Sequence, residues 1–399
     1  MYLNSMEVKY QISRRGENLE KSPIGSKLKY VRKHLNLTLE ESAEDICSVS
    51  YLSKVENNLI KPTAKYVKLL QQRYHMDKDI KDNHTYDDDL EILIQAFIEE
   101  KYETTTDKKH KISEDYQEFI INFANLVLSK QYEKGKIIGN ELLFYIPNLP
   151  TRSLNFALAL MNVLLYKDLR FSDAKDLLLL MNIGQEDIKM SIIQKKWLLR
   201  NAIKLRQALL FEKIYPEYKD QLIKYQYFNE ILEIENTRKC LYQKTTQYYL
   251  NTLNDNKDIS IIYLNYLNNQ QQYAKIIEKT KTKLYNEEYL KMHLFALENI
   301  KEYSNIIKLI KNIDVDKIND RSTWLLVRHF KYKYIGSKEE LIQYYRNEIM
   351  GFKHLTDEVD LLYYFMMDGF RTFKTQHYYK EATEIINKYL PRIKELAQL

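Results

Sequence analysis

From about Ile24 to Leu35, Leu28, Val31 and Leu35 recur at helical spacing and predict an amphipathic helix with one inward stripe. Thr38 follows, and Glu41 three residues later completes a capping-box signature, so a second helix begins there. Cys47 and Ser48 interrupt the pattern as a turn. A third helix then runs from about Val49 to Asn57. Val49, Leu52 and Val55 fall three apart on one face, and Ser50, Tyr51 and Lys54 lie opposite. Pro62 and Thr63 open a fourth helix that reaches Tyr74. Leu52 and Val55 are the expected anchors against the first helix, and Arg32 and Glu56 suit an ion pair between the first and third. Residues 1–22 are polar and without pattern, the expectation for a mobile N-terminal arm. Residues 76–90 are rich in Asp, the expectation for an acidic linker or a capped helix start.

From there to the end the pattern is helix after helix, with no convincing alternating strand. Several helices open on an aromatic residue followed three positions later by a small or aliphatic one: Tyr132 and Gly135, Phe171 and Ala174, Tyr273 and Ile276, Tyr303 and Ile306, Tyr379 and Ala382. These openings are separated by 39, 102, 30 and 76 residues, near one, three, one and two units of roughly 34. The last segment, YYKEATEIINKYLP (378–391), resembles the second helix of a tetratricopeptide repeat. Such helix pairs stack into a curved solenoid with a concave face, here over residues 91–399; an irregular α-bundle would show the same helical period.

Composition agrees with helices. Eight glycines and six prolines in 399 residues are too few turn formers for a β-rich fold. The net charge is only +6, yet the segment 22–75 holds nine Lys/Arg against five Asp/Glu, a local surplus of the kind phosphate neutralisation needs. Two distant cysteines, Cys47 and Cys240, make no disulfide scaffold and fit a reducing cytoplasm. No apolar run is long enough for a signal peptide or a membrane span, so no membrane partner is expected. The 34 tyrosines, with abundant Lys, Asn and Ile, match the bias of an AT-rich coding sequence better than a base-stacking surface.

A short helix, a tight turn and a second helix with a polar outward face form a shape suited to duplex DNA. A small bundle that only packs would use the same spacing; the cap, the basic surplus and Pro62 together favour the DNA-reading form. The segment IGSKLKYVRKHLNLTLEESAEDICSVSYLSKVENNLIKPTAKYVKLL resembles the Xre/Cro-type helix-turn-helix over about 50 residues. With the helical repeats behind it, the chain resembles the peptide-pheromone regulators of the Rgg/PlcR/PrgX type. The resemblance implies an all-α protein, with a five-helix Xre-type DNA-binding domain over 23–75 and a tetratricopeptide-like α-solenoid for peptide binding and dimerisation. It places Ser48, Val49, Ser50 and Lys54 at base edges and Thr38 at a phosphate; Tyr51 joins them from its place on the outward face. Leu39 stands where many relatives carry a phosphate-binding Gln, and Ser42 where they carry a core Leu.

In those regulators Asn side chains clamp the ligand backbone, because one amide both donates and accepts. The corresponding candidates lie in Asn155–Tyr166 and 194–215, with Asn162, Arg200, Asn201 and Lys204 foremost. Catalytic motifs are absent, the eight histidines lack ligand spacing, and Cys47 reads as a small buried residue of the turn, so no enzyme, cofactor or metal is expected. The expected partners are double-stranded DNA, a short signalling peptide and a second copy of the chain. The competing reading is a protein-interaction scaffold, or a phage-type repressor without a peptide ligand.

Overall fold

A computed structural model describes residues 5–13, 23–57, 60, 62–75, 83–100, 116–242, 261–352 and 354–398. All regular structure among them is helical. In chain order the first helices are α1 (Ser5–Ser13), α2 (Pro23–His34), α3 (Leu39–Ala43), α4 (Val49–Glu56), α5 (Ala64–Arg73), α6 (Asn83–Glu99), α7 (Tyr116–Leu128) and α8 (Tyr132–Leu142). They continue as α9 (Thr151–Lys167), α10 (Phe171–Leu179), α11 (Ile188–Lys204), α12 (Ala208–Lys224), α13 (Phe228–Tyr242) and α14 (Ile261–Asn269). The last are α15 (Tyr273–Thr280), α16 (Glu287–Asn299), α17 (Tyr303–Lys311), α18 (Arg321–Tyr334), α19 (Lys338–Tyr344), α20 (Val359–Thr375) and α21 (Tyr379–Ala397).

One turn recurs. Lys130, Leu169, Arg206, Gln226, Gln271, Lys301 and His377 all take a left-handed conformation with φ between 55° and 65°, and each stands two residues before a helix begins. The next residue sends its N–H back five positions, as in Gln131 to Leu126, Gln272 to Leu267, Glu302 to Leu297 and Tyr378 to Phe373, at 2.8–2.9 Å. This is the Schellman closure, which satisfies the orphan carbonyls of the preceding helix and reverses the chain. The aromatic openings Tyr132, Phe171, Tyr273, Tyr303 and Tyr379 are the first residues after this turn, and Gly135, Ala174, Ile276, Ile306 and Ala382 three positions on are buried. Two further copies, at Ala208 and Phe228, escape the sequence pattern because Ala208 lacks the aromatic ring and Phe228 lies off the roughly 34-residue spacing.

The chain forms two compact units, Met1–Tyr166 with Asp173–Leu198, and Lys167–Ser172 with Leu199–Leu399. The division therefore falls far beyond the expected boundary at residues 76–90. Within the first unit α2 packs against α7, and the Lys33 ammonium lies 4.7 Å from the centre of the Phe144 ring. The N-terminal helices thus rest on the first hairpin instead of standing apart as a bead on a linker. The presumed arm also differs: α1 buries Val8 completely against the turn Ile146–Asn148, and Lys9 pairs with Asp176 at 2.7 Å. Nine residues with Met6, Val8 and Ile12 as the only aliphatic ones are too short to display a period, so the sequence concealed it. Of the acidic stretch, residues 76–82 lie outside the described residues, and residues 83–90 are the first part of α6.

In the second unit Glu298, Lys333 and Asp368 lie on α16, α18 and α20, each 35 residues from the next. The Lys333 ammonium reaches Glu298 at 2.6 Å and Asp368 at 2.5 Å. Tyr334 and Tyr364 donate to Glu298, and Tyr345 donates to Asp368, whose other neighbour is His329 at 3.1 Å. Buried charge is tolerated here because every carboxylate has a cation and hydroxyl donors.

Candidate nucleic-acid interface

Around α4 the core consists of Leu28, Val31, Ala43, Leu52, Val55, Leu70 and Tyr74, with Leu37, Leu39, Ile46 and Cys47 packed at its margin. Leu52 and Val55 are fully buried, as their spacing predicts. Leu35 is not: α2 ends at His34 and the chain turns through left-handed Asn36, which leaves Leu35 43% exposed. The predicted ion pair is present. Arg32 Nε and Nη2 donate to the two oxygens of Glu56 at 2.7 and 2.8 Å, and Nη1 donates to the Leu37 carbonyl at 2.8 Å. The hydrogen bond to Glu56 raises the already high pKa of Arg32, so α2 and α4 are joined by a permanent charge pair away from water.

The outward end of α4 is assembled by its caps. Ser48 accepts the N–H of Tyr51 at 3.1 Å and starts the helix. Ser48, Ser50 and Lys54 are exposed, and Val49 is 37% exposed at the edge of the same face. Hydroxyls, a small apolar group and a long cation on the first turns of a helix are chemistry that reaches base edges in a major groove. Cys47 lies just before this face, half-buried; burial raises its thiol pKa, which keeps it protonated and unreactive.

Two expected contacts change. Tyr51 is half-buried, its ring 5.0 Å from that of Tyr66, and its hydroxyl accepts the Thr63 N–H at 3.2 Å. It holds α4 against the start of α5 and leaves the reading set; a position one residue past Ser50 turns about 100° round the helix, enough to point inward. Thr38 does form the predicted capping box, which takes up its backbone N–H and sets the Glu41 carboxylate beside it, while the hydroxyl keeps its own proton to donate. The Thr38 N–H donates to Glu41 Oε2 at 2.6 Å and its hydroxyl accepts the Glu41 N–H at 3.1 Å, which holds the Glu41 carboxyl below its usual pKa. Glu40, Glu41, Glu44 and Asp45 are all exposed around this short helix, so α3 repels phosphate. Arg73 does not offset them toward DNA, because its guanidinium is bonded to the Glu41 and Glu44 carbonyls at 3.0 and 2.6 Å, closing the end of α3.

The residues that sequence reading passed over lie on α5. Thr63 begins that helix without a side-chain capping bond, and Lys65 and Lys68 are exposed on it, beside α4 through the Tyr51–Thr63 link. Pro62-Thr63 signalled the helix start, but only the fold shows that this start adjoins the polar face. Leu39, the departure from the family's Gln, is half-buried against the core. Ser42 is fully buried, its hydroxyl beside that of Tyr74, whose pKa is raised by burial and lowered by Ser42.

Of the four residues singled out for a peptide, two are enclosed and two are held in ion pairs. Asn162, in the first unit, and Asn201, in the second, are fully buried, so neither amide faces a solvent-filled groove. Arg200 pairs with Glu233 at 3.3 Å and Lys204 with Glu358 at 3.0 Å. A polar residue buried between helices and one on an open face look alike in a single sequence. The amide clamp does occur inside the chain: Asn155 donates to the Asn182 carbonyl at 2.8 Å and accepts the Asn182 N–H at 3.2 Å. Among the described residues no helix is long and apolar enough to cross a membrane, and no cluster of three or more His, Cys, Asp or Glu could hold a metal.

Residues 28–79 match the helix-turn-helix family, a span that contains α3, the turn and α4. Comparison with curated proteins and with solved structures returns no match.

Proposed function

We propose that the chain is a sequence-specific DNA-binding transcription regulator that reads the major groove with Ser48, Val49, Ser50 and Lys54 of α4. The observation that carries this reading is the exposed polar face of α4, anchored from behind by buried Leu52 and Val55 and by the Arg32–Glu56 pair. A helix used only for packing has no need of so rigid a mount for hydroxyls and a lysine. Thr63, Lys65 and Lys68 on α5 supply the phosphate contacts that the acidic α3 cannot. The reading includes binding as a homodimer, so that two α4 helices meet half-sites about one duplex turn apart. It also includes a helical-repeat region that senses a short signalling peptide, as in quorum-sensing regulators; this part rests on the recurrent hairpins and on the resemblance of residues 378–391 to a tetratricopeptide helix. Peptide contacts then come from residues other than Asn162 and Asn201 in this conformation.

Operator selection followed by binding titrations tests the first part. Ser50→Ala with Lys54→Ala is expected to lower the ratio of specific to non-specific affinity by about tenfold or more. Lys65→Ala and Lys68→Ala are expected to weaken all sequences alike and to reduce the salt slope by about one each. Unaltered specificity in the α4 variant would move the reading surface elsewhere, and affinity that does not respond to salt would end the DNA reading. For the ligand, a short neighbouring reading frame encoding a secreted pro-peptide would name a candidate, and calorimetry with its C-terminal segment would decide.

A further inference from the structure

Hairpin repeats stacked in a row touch only their neighbours. The second unit departs from this. The connection between α11 and α12, 204–207, meets residues 358–360 and the end of α21, and the turn 167–172 meets residues 354–357. Lys204 Nζ donates to Glu358 at 3.0 Å across 154 positions, Arg206 Nε donates to both oxygens of Asp360 at 3.0 Å, and Gln207 donates to the Leu396 carbonyl at 2.6 Å across 189 positions. Asp357 is held from three sides: its N–H donates to Leu169 O at 2.8 Å, its carboxylate accepts the Ser172 N–H at 3.1 Å, and Arg392 donates to it at 2.9 Å. The row of hairpins therefore closes on itself.

We propose that this seam is a latch, and that the second unit exchanges between a closed state and one in which 354–360 has parted from 167–172 and 204–207. The chemistry of the seam suits release. Two of its bonds are ion pairs at the surface or just below it: the side chains of Arg206 and Asp360 are 37% and 63% exposed, and Lys204 is 27% exposed. Pairs of this kind contribute little individually and are screened by salt. The closed state also carries an imperfection, since among the described residues no donor reaches the buried Oε2 of Glu358, although Lys204 and Lys291 approach Oε1 at 3.0 and 3.7 Å. Opening parts Lys204 from Glu358 and Arg206 from Asp360, beside the ring of Phe171 over which the Lys204 ammonium lies at 6.0 Å. The latch stands independently of what the helical region binds; any ligand that takes up those two cations shifts the balance toward the open state.

Hydrogen exchange on the full chain reads the latch through two amides that bond across it, Ser172 and Asp357. In Lys204→Glu with Arg206→Asp both amides are expected to exchange about tenfold faster, and raising salt from about 0.05 to about 1 M is expected to speed them in the unaltered protein. Arg206→Asp combined with Asp360→Arg, which restores the pair in reverse, is expected to recover most of the protection that Arg206→Asp alone loses. Equal protection of both amides in the reversed-charge protein, with helical content unchanged by circular dichroism, would overturn the proposal. Should that variant fail to fold, the salt series decides: protection that does not respond to salt would overturn the latch as well.

Discussion

Arg32 and Glu56 carry opposite charges almost wholly out of water, so each depends on the other for solvation. Arg32→Ala leaves a buried carboxylate without its partner and is expected to destabilise the N-terminal helices by about 3–5 kcal/mol. Arg32→Met with Glu56→Leu is expected to recover much of that loss, because neither charge is left behind; thermal unfolding of both variants checks the difference. Gly369 carries a constraint of another sort. A Cβ there would stand 2.4 Å from Ile385 and 2.6 Å from the buried ring of Tyr345, the same tyrosine that donates to Asp368. Gly369→Ala is expected to cost about 1–3 kcal/mol through overpacking, measurable by denaturant titration. The Arg32–Glu56 pair was legible in the sequence because both residues lie on helices whose facing sides were already fixed by Leu28, Val31, Leu52 and Val55. Gly369 was not, since nothing along the chain says which ring will press on a glycine from another helix.

Helix starts were legible wherever the signal is local. Thr38 with Glu41 and Pro62 with Thr63 mark their helices because the bonds span only a few residues. Whether such a terminus is free to meet a ligand is a different matter, and Thr38 shows it: the cap that reveals the helix also occupies its N–H. Asp320 offers a measurable case at the start of α18. Burial would raise its pKa, but Lys291 and bonds from Ser322 and Thr323 prevail and bring it from 3.8 to about 2. A carboxylate whose folded pKa is depressed adds stability above its ordinary value and loses it as pH falls through the folded one. The second unit should therefore lose about 2 kcal/mol between about pH 4 and pH 2 from this group. Asp320→Asn keeps a capping side chain and drops the charge, so its unfolding temperature is expected to fall below that of the parent at pH 7 and to converge with it near pH 2.

At the scale of the molecule, hairpin after hairpin was readable and the way the hairpins close was not. Helical period and aromatic openings depend on neighbours within a turn or two. The seam joins Leu169 to Asp357 and Arg206 to Asp360, pairs set by how many helices stand between them and by each crossing angle. The same limit explains Asn162 and Asn201, whose polar type suggested an open face while the stacking of helices enclosed them. It explains too why the boundary between units lies near residues 167–199 while composition changes near 76–90.

The seven left-handed turn residues have a use for anyone who wishes to harden this protein. None is glycine, although glycine adopts that conformation with least strain and the chain contains only eight. Lys130, Gln226, Gln271, Lys301 and His377 lie outside the seam at 204–207 and outside α4 and α5, so each is a candidate for replacement by glycine without disturbing either. Each change is expected to add up to about 1 kcal/mol, and the effects of separate turns are expected to sum. A combined variant that melts no higher than the parent would mean that relieving these turns gains nothing over the freedom glycine gives the unfolded chain.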